Sequence, residues 1–322
     1  MKSLFIRDVG EHRGGVITSF FAVTTTQLRN RKTGEPYLLM TLSDRTGTIP
    51  AKMWDSTDDA RALREGDLVK VQGRLGEYQG RTEITIEKIR KAKEGETDIG
   101  DFLPMTKCDV PTLWEELTAN VADVKSAEIR ELLQIVIHEP AIAALMKKAP
   151  AAKAHHHAFI GGLLEHIVSL CRFADAAAKL YPWLNRDLLI AAAVLHDIGK
   201  IYELTWTTTF AYTDRGKLVG HISIGVQILR AAADRVSAIS DETISILEHL
   251  VLSHHGKMEW GSAVEPACAE AVLFHFLDNA DARLAAIKDY IDQHDARLWT
   301  EKVPAIGKAV LDTTTYLGRK SA

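Results

Sequence analysis

The residues with the clearest chemical potential lie in one short stretch, Ala193-Val-Leu-His-Asp-Ile-Gly-Lys200. An apolar run over residues 188–195 ends there in His196 and Asp197, and its length and Ala/Leu content predict a buried helix. Gly199 is expected to leave that helix in a left-handed conformation. An imidazole and a carboxylate at one helix end can hold a divalent ion together, and the carboxylate can bridge to a second ion. A solvated His-Asp pair is the alternative.

Other potential metal ligands lie singly or in pairs in the neighbouring helical segments. Taken alone, a His in an apolar segment is more often a core residue than a ligand. The candidates are His166, His221, His254, His255 and Asp278. Asp281 is the alternative to Asp278, because both occur in one segment. Since a buried carboxylate is costly without a partner or a cation, the whole series favours a metal centre. Its mixed nitrogen and oxygen donors would accept Fe, Co, Ni or Zn.

This order of residues resembles the HD phosphohydrolase superfamily, an all-helical bundle that binds one or two divalent metals. The resemblance implies that a first ion is held by His166, His196, Asp197 and Asp278. It implies that Asp197 bridges to a second ion, which is bound by His221, His254 and His255. Lys200 would face the phosphate and act in catalysis together with Asp197.

The N-terminal part of the chain is predicted to form five β-strands, with a helical piece after the third. That order is typical of an OB-fold barrel. The pattern Tyr37-Leu-Leu-Met-Thr-Leu-Ser-Asp-Arg-Thr-Gly47 resembles OB domains of the tRNA-anticodon type, which bind nucleic acid. The resemblance implies stacking rings and phosphate-binding cations on one exposed face. The candidates are Tyr37, Trp54 and Tyr78, with Arg29, Arg31, Lys32, Arg45 and Lys52. For any one aromatic residue, a position in the core is the alternative.

Two domains are predicted. Residues 1–92 would form the OB-fold domain, residues 93–112 a polar linker, and residues 113–322 an all-α domain. The 322 residues, 46% of them apolar, can bury a sizeable core. Residues 1–93 carry 17 Lys and Arg against 12 Asp and Glu, whereas the whole chain has a net charge of −4. A basic domain joined to an acidic one favours a nucleic-acid-binding module attached to a cation-binding module.

The cysteines and the distribution of charge predict the compartment. Cys108, Cys171 and Cys268 lack a metal-binding or disulfide spacing, which predicts reduced thiols. Charged residues from Arg7 onwards argue against a signal peptide, and no apolar run approaches the length of a membrane span. These patterns predict a soluble, cytoplasmic protein with no membrane partner. Exposed helical surface makes a homo-oligomer a further expectation.

The combination of both domains resembles the YhaM-type 3′→5′ exoribonucleases over nearly the whole chain. Two further stretches carry the resemblance, His156-His-Ala-Phe-Ile-Gly-Gly-Leu-Leu-Glu-His166 and Val251-Leu-Ser-His-His-Gly256. It implies Mn²⁺-dependent hydrolysis of single-stranded RNA from the 3′ end to nucleoside 5′-monophosphates, with the OB domain holding the strand. Single-stranded DNA would also be accepted unless the site reads the 2′-hydroxyl group. His156 and His157 would contact the substrate.

Two other functions stay open at the level of sequence. One is an HD hydrolase of small nucleotides, such as a cyclic dinucleotide or a deoxynucleoside triphosphate, although a small substrate does not need a basic barrel. The other is a non-catalytic nucleic-acid-binding protein, although such a protein does not need a complete series of metal ligands. Comparing oligonucleotides with free nucleotides as substrates, beside an Asp197→Ala variant, separates the three functions.

Overall fold

The computed structural model describes residues 2–12, 14–31, 33–78, 81–153, 157–293 and 298–318. The chain divides into two compact units. The first comprises Met1–Met105 together with Trp206–Phe210, and the second comprises Thr106–Thr205 and Ala211–Ala322. The first is a closed β-barrel and the second is helical, so the predicted fold class is confirmed.

Five β-strands close the barrel of the first unit. They are β1 (Val16–Asn30), β2 (Pro36–Asp44), β3 (Gly47–Met53), β4 (Leu68–Tyr78) and β5 (Arg81–Lys91). Hydrogen bonds join neighbouring strands in the order β1-β2-β3-β5-β4, and a short helix, α1 (Asp58–Arg61), follows β3. This is the OB-fold order that the sequence predicts.

Side chains of the strands alternate between the interior of the barrel and its outer face. Along β2, Leu38, Met40 and Leu42 are buried, whereas the intervening residues are partly exposed. Since successive strand residues point to opposite faces, Tyr37 on β2 belongs to the outer face. Lys52 has the same position on β3, between the buried residues on either side of it. The alternation therefore places Tyr37 and Lys52 outside the core.

The second unit is a bundle of helices packed around α6. The helices are α2 (Val110–Ala122), α3 (Ala127–His138), α4 (Pro140–Met146), α5 (Gly162–Leu180), α6 (Arg186–Leu195), α7 (Lys200–Glu203), α8 (Asp214–Ala233), α9 (Asp241–Ser253), α10 (Ala269–Gln293) and α11 (Thr313–Gly318). Residues 189–195 of α6 are all buried, because α5, α9 and α10 pack against this helix. The side chain of Asn185 caps α6 by accepting hydrogen bonds from the backbone amides of Asp187 and Leu188. A helix anchored in this way fixes the position of His196 and Asp197, which follow it.

Some short elements differ from the expectation. The helix predicted from residue 221 begins earlier, at Asp214, but Gly220 interrupts it with a φ of 75° and a ψ of 154°. A separate helical segment therefore starts at His221, as predicted. The sequence pattern does not predict α7 or the hairpin of β6 (Leu204–Thr205) and β7 (Ala211–Tyr212), because these elements are too short to show periodicity. None of the described helices combines the length and apolar character needed to cross a membrane.

Candidate metal centre and nucleic-acid surface

Four of the predicted ligands converge inside the helical unit. They are His166 on α5, His196 and Asp197 after α6, and Asp278 on α10. His166 Nε2 lies 3.3 Å from His196 Nε2 and 3.2 Å from Asp278 Oδ1, and His196 Nε2 lies 3.2 Å from Asp197 Oδ2. An ion bonded to these atoms at about 2.0–2.2 Å would hold neighbouring ligand atoms about 3.0–3.5 Å apart. The spacing of this first ligand set therefore fits a divalent metal.

The other predicted ligands converge on the second oxygen of Asp197. Asp197 Oδ1 lies 3.5 Å from His221 Nε2 and 3.8 Å from His254 Nε2, and one ring nitrogen each of His221, His254 and His255 lies within 4.8 Å of the others. Within the described residues, Asp197 Oδ1, His221 Nε2, His254 Nε2 and His255 Nδ1 are buried without a hydrogen-bond partner. Each such atom costs about 1–3 kcal/mol. One cation among them would satisfy all four atoms of this second ligand set.

Lys200 adds a positive charge beside the first ligand set. Its Nζ lies 2.6 Å from Asp197 Oδ2. Burial disfavours the charged amine, but the carboxylate of Asp197 outweighs burial and raises the pKa of Lys200. Burial also opposes ionisation of Asp197, but the charge of Lys200 lowers its pKa well below the usual range. Both groups are therefore charged at neutral pH, and Lys200 can offset negative charge on a phosphate.

Backbone carbonyl groups orient two of the histidines. His196 is the C-cap residue of α6, and its Nδ1 donates to the carbonyl oxygen of Ala192 at 3.1 Å. His254 is the C-cap residue of α9, and its Nδ1 donates to the carbonyl oxygen of Val251 at 2.7 Å. Because a carbonyl oxygen only accepts, each ring keeps a proton on Nδ1 and leaves Nε2 free to bind a metal. Burial lowers the pKa of His254 well below its ordinary value, which keeps this ring neutral.

Carboxylates orient two other histidines. His221 donates from Nδ1 and from its backbone amide to Glu203 Oε1, each at 3.0 Å. His166 Nδ1 lies 2.7 Å from Asp281 Oδ2. Burial disfavours a charged His166, but hydrogen bonds and charge from Asp278 and Asp281 outweigh it and raise the pKa of His166 to about 9. A carboxylate behind a ligating imidazole fixes the direction of the ring.

The structure distinguishes Asp278 from Asp281. Asp278 faces the other ligands, whereas Asp281 lies behind His166 and accepts hydrogen bonds from His157 Nε2, at 3.0 Å, and from the hydroxyl of Ser169. Burial opposes ionisation of Asp281, but its hydrogen bonds with His157 and His166 lower its pKa. Asp281 therefore contacts the ring nitrogen of His166 that faces away from the other ligands, which favours a role in orienting this ring. Ser169 is not among the residues predicted from the sequence, although its spacing of three residues from His166 is a signal that could have identified it.

The two histidines predicted to contact substrate are His156 and His157. His156 lies outside the described residues. His157 is 6% exposed, and its ring contacts Asp281. Its φ of 47° is a left-handed value, which is uncommon and costly for a residue other than glycine. The structure therefore places His157 behind the ligands, where it supports Asp281, and its contact with substrate stays a prediction.

Gly199 is required by a close approach between two segments. Its φ is −64°, an ordinary right-handed value, so the left-handed conformation predicted from the sequence is wrong. A Cβ atom at this position would lie 2.0 Å from the carbonyl oxygen of His221 and 2.8 Å from the amide nitrogen of Gly225. Glycine therefore lets the segment that carries His221 approach the end of α6.

Several candidate nucleic-acid-binding residues of the barrel contact one another outside its core. The ring centres of Tyr37 and Trp54 are 4.9 Å apart, and the guanidinium of Arg31 lies 5.0 Å from the ring of Trp54. Lys52, two residues before Trp54 on the same side of its strand, lies 4.2 Å from the ring of Tyr78. Trp54 and Tyr78 are 39% and 56% exposed, so these two aromatic rings are surface residues and do not belong to the core.

Two of the cations on this face, Arg31 and Lys52, are paired with acids. Arg31 lies 3.2 Å from Glu35 and 3.1 Å from Asp55, and Lys52 lies 2.8 Å from Glu83. Lys32 lies outside the described residues. These ion pairs leave less free positive charge than the sequence count implies.

The fold and the ligand geometry define a class of protein, in which an OB-fold nucleic-acid-binding domain is joined to an HD domain. A model of the OB-fold nucleic acid binding domain family matches residues 22–92, and a model of the HD domain family matches residues 163–283. The chain is 36% identical to the 3′-5′ exoribonuclease YhaM of Bacillus velezensis over 95% of this chain and 96% of that protein. It is 35% identical to YhaM of Bacillus subtilis over the same shares, and 38% identical to YhaM of Geobacillus sp. over 85% and 84%. The chain therefore belongs to the YhaM family, which confirms the resemblance seen in the sequence.

A Gly199→Ala substitution is expected to push α8 away from α6, because the added methyl group overlaps a backbone carbonyl. We expect the free energy of unfolding to fall by about 1–3 kcal/mol, as in overpacked cores, and binding at the second ligand set to weaken. Denaturant unfolding measures the stability. Gly318→Ala is the matched control, since no atom lies within 4 Å of its Cβ position. Equal stability of the two variants would contradict the steric explanation.

An Asp281→Ala substitution is expected to weaken metal binding about 10- to 100-fold, because His166 loses the carboxylate that orients it. Titration calorimetry with Mn²⁺ measures the affinity. Asp292→Ala removes a carboxylate from the same helix that pairs with Lys107 and Lys288 at the surface, and it is expected to bind Mn²⁺ as the wild type does. An Asp281→Ala variant with wild-type affinity would show that Asp281 does not position the ligand.

Proposed function

We propose that this chain is a metal-dependent 3′→5′ exoribonuclease that hydrolyses single-stranded RNA to nucleoside 5′-monophosphates. Membership of the YhaM family supports the activity. One structural observation supports the type of reaction, because the two oxygens of Asp197 face two separate ligand sets. A pair of divalent ions that share a carboxylate suits the hydrolysis of a phosphodiester bond.

The side chains of the helical unit have separate tasks in this proposal. The first ion would be held by His166, His196, Asp197 and Asp278, and the second by Asp197, His221, His254 and His255. Bound there, the ions would supply a water-derived nucleophile at neutral pH and neutralise charge on the phosphodiester. Lys200 would stabilise the negative charge that develops on the non-bridging oxygens. No protein side chain attacks phosphorus, and the 3′-oxygen of the penultimate nucleotide is the leaving group.

Mn²⁺ is the ion we propose for the working enzyme. Its support is the resemblance of the sequence to the YhaM-type enzymes. The donors of both ligand sets are imidazoles and carboxylates, which also suit Fe, Co, Ni or Zn. The test of the activity therefore compares the rate of RNA cleavage with each of these metals in turn.

A 5′-labelled single-stranded RNA tests the activity. Metal-stripped protein supplied with Mn²⁺ is expected to give a ladder that shortens from the 3′ end. Asp197→Ala is expected to lower the rate at least about 100-fold, because it removes a ligand from both sets. Asp234→Ala, which removes an exposed carboxylate at the end of α8, is the control and is expected to cleave as the wild type does. RNA that stays intact with Mn²⁺, Fe²⁺, Co²⁺, Ni²⁺ and Zn²⁺ in turn would contradict the proposal.

We further propose that the barrel holds the strand during hydrolysis. Its outer face offers the rings of Tyr37, Trp54 and Tyr78 for base stacking, and Arg31 and Lys52 for the phosphate backbone. Every base has a π-face, so binding would show little sequence preference and would weaken with salt. Single-stranded DNA would fit the same face, because stacking does not read the 2′-hydroxyl group.

A Trp54→Ala substitution is expected to weaken RNA binding about 5- to 150-fold, which corresponds to the loss of one stacked base. Fluorescence anisotropy in an Asp197→Ala background, where RNA is not degraded, measures the affinity at fixed salt. Val16→Ala truncates another exposed apolar residue of the barrel, on β1, and is expected to retain the affinity. If both substitutions left the affinity unchanged, the barrel face would not be the binding surface.

We also propose a cytoplasmic location. An RNA substrate supports it, and so do the cysteines Cys108, Cys171 and Cys268, which form no disulfide among the described residues. Self-association stays a prediction of the sequence, and light scattering of the purified protein would measure it.

A further inference from the structure

A short turn follows the ligand His255 and is fixed to the end of α9. This turn, Met258–Trp260, is closed by a hydrogen bond from the amide of Trp260 to the carbonyl oxygen of Lys257, at 3.0 Å. Just beyond it, the amide of Ala263 donates to the carbonyl oxygen of Leu252 on α9, also at 3.0 Å. The turn is therefore held at a fixed position relative to the metal ligands that end this helix.

The turn borders the open side of the second ligand set. His196 and His254 are buried, whereas His221 and His255 are partly exposed, so solvent reaches the second ligand set at these two histidines, and the turn lies beside His255. A Cβ atom at Gly261, the residue after Trp260, would lie 3.4 Å from His255 Nδ1. That nitrogen is one of the buried atoms without a hydrogen-bond partner within the described residues. Trp260 is therefore one residue away from contact with a ligand of the centre.

Trp260 begins a row of three rings at this opening. Its ring centre lies 5.7 Å from that of His275, with 31° between the planes, and the ring of His275 lies 5.1 Å from that of Phe276. His275 is buried and its Nδ1 donates to the carbonyl oxygen of His254 at 2.9 Å, which fixes the middle ring. Trp260 and Phe276 are 49% and 63% exposed. The amine of Lys257 lies 5.0 Å from the ring centre of Trp260 and 3.8 Å from Glu259, in an exposed ion pair that a phosphate can replace.

An exposed indole beside a lysine suits single-stranded nucleic acid. The ring can stack on a base, and the amine can approach the neighbouring phosphate. Exposed aromatic rings contribute little to the core of the protein, so their concentration next to a site for phosphodiester hydrolysis points to contact with the substrate. Stacking also orients the strand without reading its sequence, which is what an exonuclease that removes successive nucleotides requires.

We propose that Trp260 forms a stacking subsite for one base of the last two nucleotides of the strand, and that Lys257 binds an adjacent phosphate. The inference rests on the proposed exonuclease function, which places the 3′ end of the RNA at the two ligand sets. The subsite holds the base on the His255 side of the centre. His275 packs against the indole and limits its motion.

A substitution cycle on protein and RNA tests the contact. For the wild type, kcat/KM on an RNA that lacks the bases of its last two nucleotides is expected to be about 5- to 150-fold lower than on the intact RNA. Trp260→Ala is expected to lose a similar factor on the intact RNA. Trp260→Ala acting on the RNA without these bases is expected to lose no more in kcat/KM than either change alone. The reason is that the two changes remove the same interaction. Trp260→Phe, which keeps a stacking ring, is expected to recover most of the rate on the intact RNA.

Trp183→Ala is the matched control. Trp183 is 72% exposed in the same unit, but it precedes α6 and is separated from His196 by the length of that helix, about 15 Å. It is expected to match the wild type on both RNAs. Additive losses, or a wild-type rate for Trp260→Ala on the intact RNA, would overturn the stacking subsite and leave the exonuclease function standing. A wild type that degrades neither RNA would overturn the proposed function, and this inference with it.

Discussion

The buried carboxylate of Asp197 is the interaction on which the helical unit depends. It is 3% exposed, and its oxygens face imidazoles on one side and imidazoles with a lysine on the other. A buried charge is tolerated only where other charges and hydrogen bonds surround it. Five separate segments, from α5 to α10, therefore have to meet at one point, and each brings one or two polar groups on an otherwise apolar surface. The packing of the helices and the candidate chemistry therefore both require these five segments to meet at Asp197.

The sequence predicts the ligands because each is unusual in its surroundings. His166 and Asp278 interrupt apolar helical segments, where a polar side chain has a high cost without a partner. His196 ends an apolar run whose residues 189–195 are all buried, so its direction follows from a helix that the apolar pattern predicts. In the barrel, strict alternation along β2 places Tyr37 on the outer face. Local pattern and tertiary position agree at all of these sites.

Other features depend on contacts that local pattern does not contain. Asp278 and Asp281 are three residues apart and share a helix face, so only the position of His166 distinguishes them. The need for Gly199 comes from His221, a residue of another segment. Arg31 and Lys52 gain acidic partners only when the strands pair. Trp260 lies in a short turn without periodicity, and its place just after the His-His-Gly stretch is the one cue that the sequence offers.

The raised pKa of His166 couples the centre to acidity. In the apoprotein this imidazole holds a proton between Asp278 and Asp281 up to a pH of about 9. A metal-ligating nitrogen must be unprotonated, so an arriving ion has to displace that proton. Metal binding at the first ligand set therefore requires His166 to lose a proton. Acidification of the surroundings competes with the metal for the same nitrogen, so the supply of metal alone does not set the occupancy of the centre.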